Sequence, residues 1–477
     1  MIHPCTRREI LLGGATLSIA MLGSANSLAA TRTLARTRIK RLVSSCGIEA
    51  WLVQDSTVPL IAMEFALTGG ATQDPPQKSG VSHMVAALLK EGSAGLDFKA
   101  FHKRLDRRAI DLHFHSTHDH FRGSLCTLED NADEAFDLLR MALTSPRFDA
   151  ADVERIRATV LARLRHDSTD PSSLAHRKFL EVAFGDHAYA RPPGGSLESV
   201  PEVEAADLKD YVRRVIAKDT LKIAVVGDVD PGVLCKLLDK TFGSLPTNAE
   251  TTPVPDVVAA KPPQRVFIPL DVPQTIVTFG GPAVRRNEPD FMATYVVNHI
   301  LGGAGLTSRL FREVREKRGL AYSVRENLVW LDHSAVFLGN SGTCADRAHQ
   351  TVEEIEKQVR HIAEEGPTQH ELDDAKSYLK GSQMLALNTS SKLARTLLQH
   401  QLDKLPINYF ETHNAVVDGV TLEDAKRAAQ RLWGEGLLTI VVGRAPKHAA
   451  QPTTMPAGTA PSPDAEQLDA SPTAPPN

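Results

Sequence analysis

With 477 residues, 42% of them hydrophobic, the chain is too long for one ordinary domain, and roughly two to four are expected. Its 54 Lys and Arg against 58 Asp and Glu leave a formal charge of −4, which argues against a nucleic-acid partner. Basic clusters such as 104–108 lie among acidic residues and read as solvated helix faces.

The N-terminus carries a charged start around Arg7 and Arg8, an apolar run over 13–22 and small residues before Ala30. This pattern reads as an export signal over 1–30, with a mature start near Ala30 or Thr31. The paired arginines point to the twin-arginine route and a periplasmic destination. The apolar run is too short for a stable membrane span, although an uncleaved anchor is the alternative.

Beyond the signal, 32–41 reads as a basic helical lead-in, and 50–53 and 60–67 as strands, the second ended by Gly69-Gly70. A strongly apolar helix is expected over 80–91, another helix over 98–109, and a hairpin over 110–127. Amphipathic helices follow at 131–144 and 151–166, then a buried strand at 221–227 and a helix from about 231 to 241. Residues 246–263, rich in Pro, Thr and Ala, read as a linker. After it the pattern recurs: Val58-Pro59-Leu60-Ile61 is echoed by Val272-Pro273-Gln274-Thr275-Ile276, and 221–227 by 437–443. The helix pair of 131–165 is echoed by that of 349–385. A repeat at about half the length implies duplicated domains. The fold class is therefore α+β, two homologous sandwiches of a mostly antiparallel sheet against helices. The expected boundaries are 31–245 and 264–445, with a disordered tail over 446–477.

Cys46, Cys126, Cys235 and Cys344 are dispersed, form no C-x-x-C pair and read as buried free thiols. Asp111-Leu112-His113-Phe114-His115-Ser116-Thr117-His118-Asp119-His120 is a possible metal site. On an unbroken strand His113 and His115 share one face and His118 and His120 the other, so a four-His site needs a turn at Ser116-Thr117. The alternative is a strand with neutral histidines among polar neighbours. His361-Ile362-Ala363-Glu364-Glu365 reads as a solvated helix face.

The stretch 302–324 carries the most chemistry. A Gly-rich loop (Gly302, Gly303, Gly305) precedes a short helix capped by Thr307 or Ser308, with Leu310, Phe311 and Val314 on one apolar face. Gly319 suits a left-handed helix end, and 320–324 reads as strand. One tight reversal can then bring Arg315 and Tyr322 together. A planar cation and a neutral O–H donor suit the grip of a peptide carbonyl and the charge it develops under attack.

The run Ser308-Arg309-Leu310-Phe311…Val314-Arg315-Glu316-Lys317-Arg318-Gly319-Leu320-Ala321-Tyr322-Ser323 resembles the second-half signature of the pitrilysin-type (inverzincin) zinc peptidases, the group that includes the mitochondrial processing peptidase. The resemblance implies two homologous domains facing each other across a cleft, and an Arg and a Tyr seven residues later, here Arg315 and Tyr322, that bind substrate beside the zinc. It also implies that the Gly-rich loop lies near substrate, where bare backbone allows close approach. Cutting members carry H-x-x-E-H on the first-half helix and a Glu well downstream; the two His and the distant Glu hold Zn²⁺, and the intervening Glu is the general base. In this chain His83 remains, Ala86 replaces the base, Ala87 replaces the second His, and Ala162 and Arg163 stand where the downstream Glu belongs. Methyl groups cannot coordinate a metal, and an arginine repels one. His83 is expected to be a helix-terminal or core histidine, and the chain to bind no metal or other cofactor.

The resemblance therefore implies the non-catalytic, substrate-binding subunit of a heteromeric peptidase. Its partners would be a peptide substrate and a homologous zinc-bearing subunit in a heterodimer. The alternative is a periplasmic peptide-binding or scaffolding protein without enzymatic role, as the family includes such subunits in respiratory complexes. A stand-alone hydrolase built on the His-rich strand is a third reading.

Overall fold

The computed structural model describes residues 38–444, so the expected export signal, its twin-arginine pair and the expected disordered tail lie outside the described residues. Eleven strands in the described residues form two sheets. The first holds β1 (Lys40–Val43), β2 (Glu49–Gln54), β3 (Leu60–Thr68), β4 (Asp111–Ser116), β5 (His120–Leu128) and β6 (Lys222–Gly227) in the order β1-β2-β6-β3-β5-β4. The second holds β7 (Gln264–Pro269), β8 (Gln274–Pro282), β9 (Ala321–Trp330), β10 (Ala335–Cys344) and β11 (Leu438–Gly443) in the order β7-β11-β8-β10-β9. Leaving out β1, the two orders correspond strand for strand. Only β2–β6 and β7–β11 run parallel, at equivalent places. The repeat legible in the sequence is thus a repeat of topology.

Residues 40–43 form an antiparallel edge strand, with Lys40 opposite Leu52 and Val43 opposite Glu49, so the helical lead-in expected over 32–41 is strand at its last two residues, while 32–37 lie outside the described residues. The open edge of β2 decides this, and Arg41 pairs with Glu49 at 2.7 Å across it.

The first half contributes helices α1 (Val81–Leu88), α2 (Phe98–Arg107), α3 (Ala132–Thr144), α4 (Ala150–Asp167), α5 (Pro171–Phe184), α6 (Ala205–Val215) and α7 (Pro231–Phe242). The second contributes α8 (Phe291–Asn298), α9 (Ala348–Glu365), α10 (Gln369–Ala386), α11 (Ser390–Leu402), α12 (Tyr409–Asp418) and α13 (Leu422–Trp433). Alternation along the strands sends Phe65, Phe121 and Leu125 into a core shared with Met84, Val85 and Leu139. In the second half Phe279 and Phe337 meet Val296, Leu310, Val314 and Trp433 in the same way.

The other face of each sheet is covered from the opposite half. Helix α5 lays Ala175, Phe179 and Ala183 against Ile276, Val336, Leu438 and Ile440. Helix α11 lays Leu393, Ala394, Leu397 and Leu398 against Trp51, Val53, Ala66, Ala224 and Val226. Gly280 lets the Phe179 ring settle on β8, since a Cβ there would lie 2.7 Å from it. Double-sided coverage explains why β3 and β11 are apolar runs rather than alternating strands. Each buried Leu or Phe adds on the order of 1.5–3 kcal/mol.

The hairpin tips of the two halves also meet. The Tyr189 hydroxyl donates to Asp119 at 2.6 Å and accepts the His333 N–H at 3.1 Å, while the Asp332 N–H donates to Asp119 at 3.1 Å. Beside them runs a groove of about 1010 Å³ lined by residues including His120, Arg122, Trp330, Gln399 and Asp403. Residues 249–261, inside the expected linker, form neither helix nor strand.

Phe179→Ala should lower the unfolding free energy by about 3–5 kcal/mol, measured by chemical denaturation, with one transition for both halves. Two separate transitions would show that the crossed helices do not couple them.

Candidate functional site

Helix α8 runs into a π-helical turn at His299–Gly303, followed by a 3-10 turn at Gly305–Thr307. Ser308 Oγ then accepts the Phe311 N–H at 3.2 Å, the cap expected from sequence. The segment Phe311–Glu316 is π-helical rather than α-helical, with the Lys317 N–H bonded to the Arg312 carbonyl at 3.0 Å. Leu310, Phe311 and Val314 are buried, and Gly319 sits at φ +59.

A partly buried ion pair anchors this segment. Arg309, 7% exposed, donates to both oxygens of Glu371, through Nε at 2.6 Å and Nη2 at 2.5 Å. The Thr368 N–H donates to the same carboxylate at 2.9 Å. Although burial opposes ionisation, the Arg309 contact and the Thr368 bonds together hold Glu371 down at about 2.

The reversal between Arg315 and Tyr322 is tied at its carbonyls. Arg347 donates to the Gly319 oxygen at 2.7 Å, and Thr343 and Thr351 donate to the Leu320 oxygen at 2.6 and 3.3 Å. On β9 and β10, Ser323 faces Gly342 while Ala321 faces Thr343. Tyr322 is therefore the extra residue of a β-bulge, a device that re-aims a side chain. The residue is 61% exposed. The phenol oxygen lies 3.0 Å from Cys344 Sγ, and that contact raises the phenol above its usual pKa. The Arg315 guanidinium lies 4.7 Å over the Phe311 ring. The reversal brings the two elements together, but no hydrogen bond joins Arg315 to Tyr322 among the described residues; each side chain has its own partner.

The three glycines differ. Gly302 is buried, and a Cβ there would meet the Glu326 Cβ at 2.5 Å, so its bareness serves packing against β9. Gly303 and Gly305 are exposed, and Gly305 has φ +58. Glu326 beneath them is fully buried, accepting from Asn298 Nδ2 at 2.9 Å and Trp433 Nε1 at 3.3 Å. Burial pushes its carboxyl up to about 8, so it is largely neutral at pH 7.

In the first half, the buried Asp74 carboxyl accepts the Gly80 and Ser82 N–H groups at 2.8 and 2.9 Å and fixes the start of α1. His83 is partly buried. Burial, and second the charge of Arg163, push its imidazole below the usual value. Arg163, on α4 where the resemblance puts the downstream Glu, thus acts electrostatically on His83 while pairing with Asp167 at 3.7 Å. Ala86 and Ala87 present methyl groups. These residues do not fit a zinc ion, and no group of three or more His, Cys, Asp and Glu among the described residues could hold a metal.

The His-rich stretch turns at 117–119, between β4 and β5, and its histidines disperse. His113 pairs with Asp111 at 2.6 Å, and His118 meets the Tyr189 ring edge-on at 5.4 Å. His120 lies 3.3 Å from Asp332, and burial takes it down to about 4. His361 is a surface partner of Glu365 at 3.2 Å. All four described cysteines are free, but Cys46 and Cys344 are exposed, unlike the buried thiols expected. Sequence reading also misses Glu326 and Glu371 near the second-half segment and reads Cys344 only as a buried thiol. Nothing local marks them, because each acts through a strand or helix pairing.

Comparison with known proteins gives two family matches along the chain. Residues 52–195 match the family described as insulinase (peptidase family M16), and residues 202–379 match the peptidase M16 inactive domain. The chain is 28% identical over 362 residues to a non-peptidase homolog, YmxG, of Helicobacter pylori, covering 75% of this chain and 83% of that protein. It is 24% identical over 403 residues to an uncharacterized zinc protease, also YmxG, of Bacillus subtilis, covering 83% and 96%. A crystal structure of a peptidase M16 inactive domain from Pseudomonas fluorescens superposes with a TM-score of 0.80 at 26% identity, covering 87% of this chain and 99% of that one.

Two outcomes follow from this geometry. Because the folded-state pKa of Glu326 is raised from 4.5 to about 8, its contribution to stability is fully present below 4.5 and is lost as pH rises through about 8. Glu326→Gln, which stays neutral, should flatten that decline in Tm against pH; an unchanged slope would assign it elsewhere. Second, the isolated chain, loaded with zinc and desalted, should retain well under one equivalent by metal analysis, whereas tight stoichiometric zinc lost in His83→Ala would contradict the reading of α1.

Proposed function

Since this chain belongs to the M16 peptidase family yet carries methyl groups and an arginine where cutting members carry ligands and base, we propose that it is the non-catalytic, substrate-binding subunit of a heteromeric M16 metallopeptidase. A homologous partner would hold the zinc, which when bound would supply Lewis-acid chemistry to the scissile carbonyl and to water. This chain supplies Arg315 and Tyr322. The guanidinium, laid over Phe311, offers a planar cation to a peptide carbonyl. The phenol, still protonated at neutral pH, donates to the oxygen as negative charge develops on it. Exposed Gly303 and Gly305 leave backbone open to an extended peptide. The export pattern over 1–30 supports a periplasmic setting.

One observation carries this reading. A bulge turns Tyr322 outward, and three side chains hold the carbonyls of the reversal that leads to it. An unused aromatic residue needs no such support.

Mixed with a homologous zinc-bearing chain, the wild type should support peptide hydrolysis. Arg315→Ala and Tyr322→Phe should each lower turnover by about 10²–10³-fold, with zinc in the complex unchanged by metal analysis. Full turnover in both variants would refute the assignment. A chain that binds peptides but cleaves none with any such partner would instead be a peptide-binding or scaffolding protein.

A further inference from the structure

Tyr322 does not stand alone on its bulge. Cys344 closes β10 beside it, its Sγ 3.0 Å from the phenol oxygen, and both side chains are exposed. Thr343, immediately before Cys344, donates to the Leu320 carbonyl, so the strand end that carries the thiol also fixes the reversal that carries the ring. Arg347 holds the next turn of chain to Gly319 and places its charge near the phenol. The ring is thereby oriented from one side and open on the other.

We propose that Cys344 is the positioning residue of Tyr322, holding the phenol oxygen so that its O–H is aimed at the bound peptide. This rests on the substrate-binding role proposed for Tyr322. Each of the two groups has one hydrogen and can accept another. Without peptide, the phenol, the stronger donor, gives its O–H to sulfur. With a peptide carbonyl in place the phenol O–H turns to that oxygen, and the thiol rotates to donate S–H to the phenol oxygen. No proton is transferred and no bond is broken. The phenol keeps a partner in both states, and an S–H donated to its oxygen strengthens the bond it makes to the carbonyl. A hydrocarbon at residue 344 would leave a ring of this exposure free to turn about its side-chain bonds.

Two measurements on the full chain test this. In ring-labelled tyrosine NMR, the Tyr322 signal, identified by its loss in Tyr322→Phe, should titrate at lower pH in Cys344→Ala than in the wild type. An unmoved midpoint overturns the contact, whatever the peptidase assay gives. In the mixed complex, Cys344→Ala should lower kcat about fivefold, the worth of one net hydrogen bond, with KM little changed. Cys344→Ser, which keeps a donor and acceptor, should stay within about twofold of wild type. In a Tyr322→Phe background Cys344→Ala should add nothing. Wild-type kcat in Cys344→Ala alongside a slow Tyr322→Phe overturns the positioning role and leaves the subunit assignment intact. Wild-type kcat in Tyr322→Phe itself overturns the subunit assignment and the aiming role that rests on it.

Discussion

The reciprocal crossing of α5 and α11 is the contact on which the rest of the molecule depends. A sheet with one face packed on its own helices still has a second apolar face to cover, and here each half covers the other's. Phe179 on β8 and Leu397 above β2, β6 and β3 are equivalent solutions to one problem. The crossing sets the two halves at a fixed relation, so β4 and β9, the equivalent outer strands, keep defined places at the two sheet edges. The hairpin tips, joined through Asp119, Tyr189, Asp332 and His333, then need only polar contacts, because the apolar work is done elsewhere.

Within that frame the two halves have diverged in chemistry while keeping their topology. Segment 309–316 occupies the place in the second half that α2 occupies in the first, between the helix after the central strand and the outer strand. In the second half this place has a π-helical pitch, a partly buried Arg309–Glu371 pair and a bulge. In the first half α1 has regular geometry and carries Ala86 and Ala87 where the resemblance puts the general base and the second histidine.

Much of this was legible in the amino-acid order, for definite reasons. Apolar runs such as 60–67 and 437–443 mark strands, because a strand buried on both faces has no polar alternation to hide it. Gly319, and Ser308 ahead of Leu310, mark helix ends through backbone conformation and capping, which are local. What local pattern cannot express is partnership. Nothing in residues 171–184 says that their apolar face belongs to the distant sheet, and nothing in 40–43 outweighs a basic, helix-like composition except an empty edge on β2. Glu371 and Cys344 are likewise ordinary residues until the fold sets them against Arg309 and Tyr322. The bulge leaves one faint trace in the sequence, two successive polar-facing positions at Tyr322 and Ser323, visible once register is known.

The carboxyl of Asp74 has a consequence for how such a chain could shed its chemistry. It holds the first turn of α1 through backbone N–H groups, and Met84 and Val85 hold the rest through the core, so the helix is placed without an ion. A scaffold whose architecture is indifferent to its own reactive centre can lose that centre by single substitutions without passing through an unfolded ancestor.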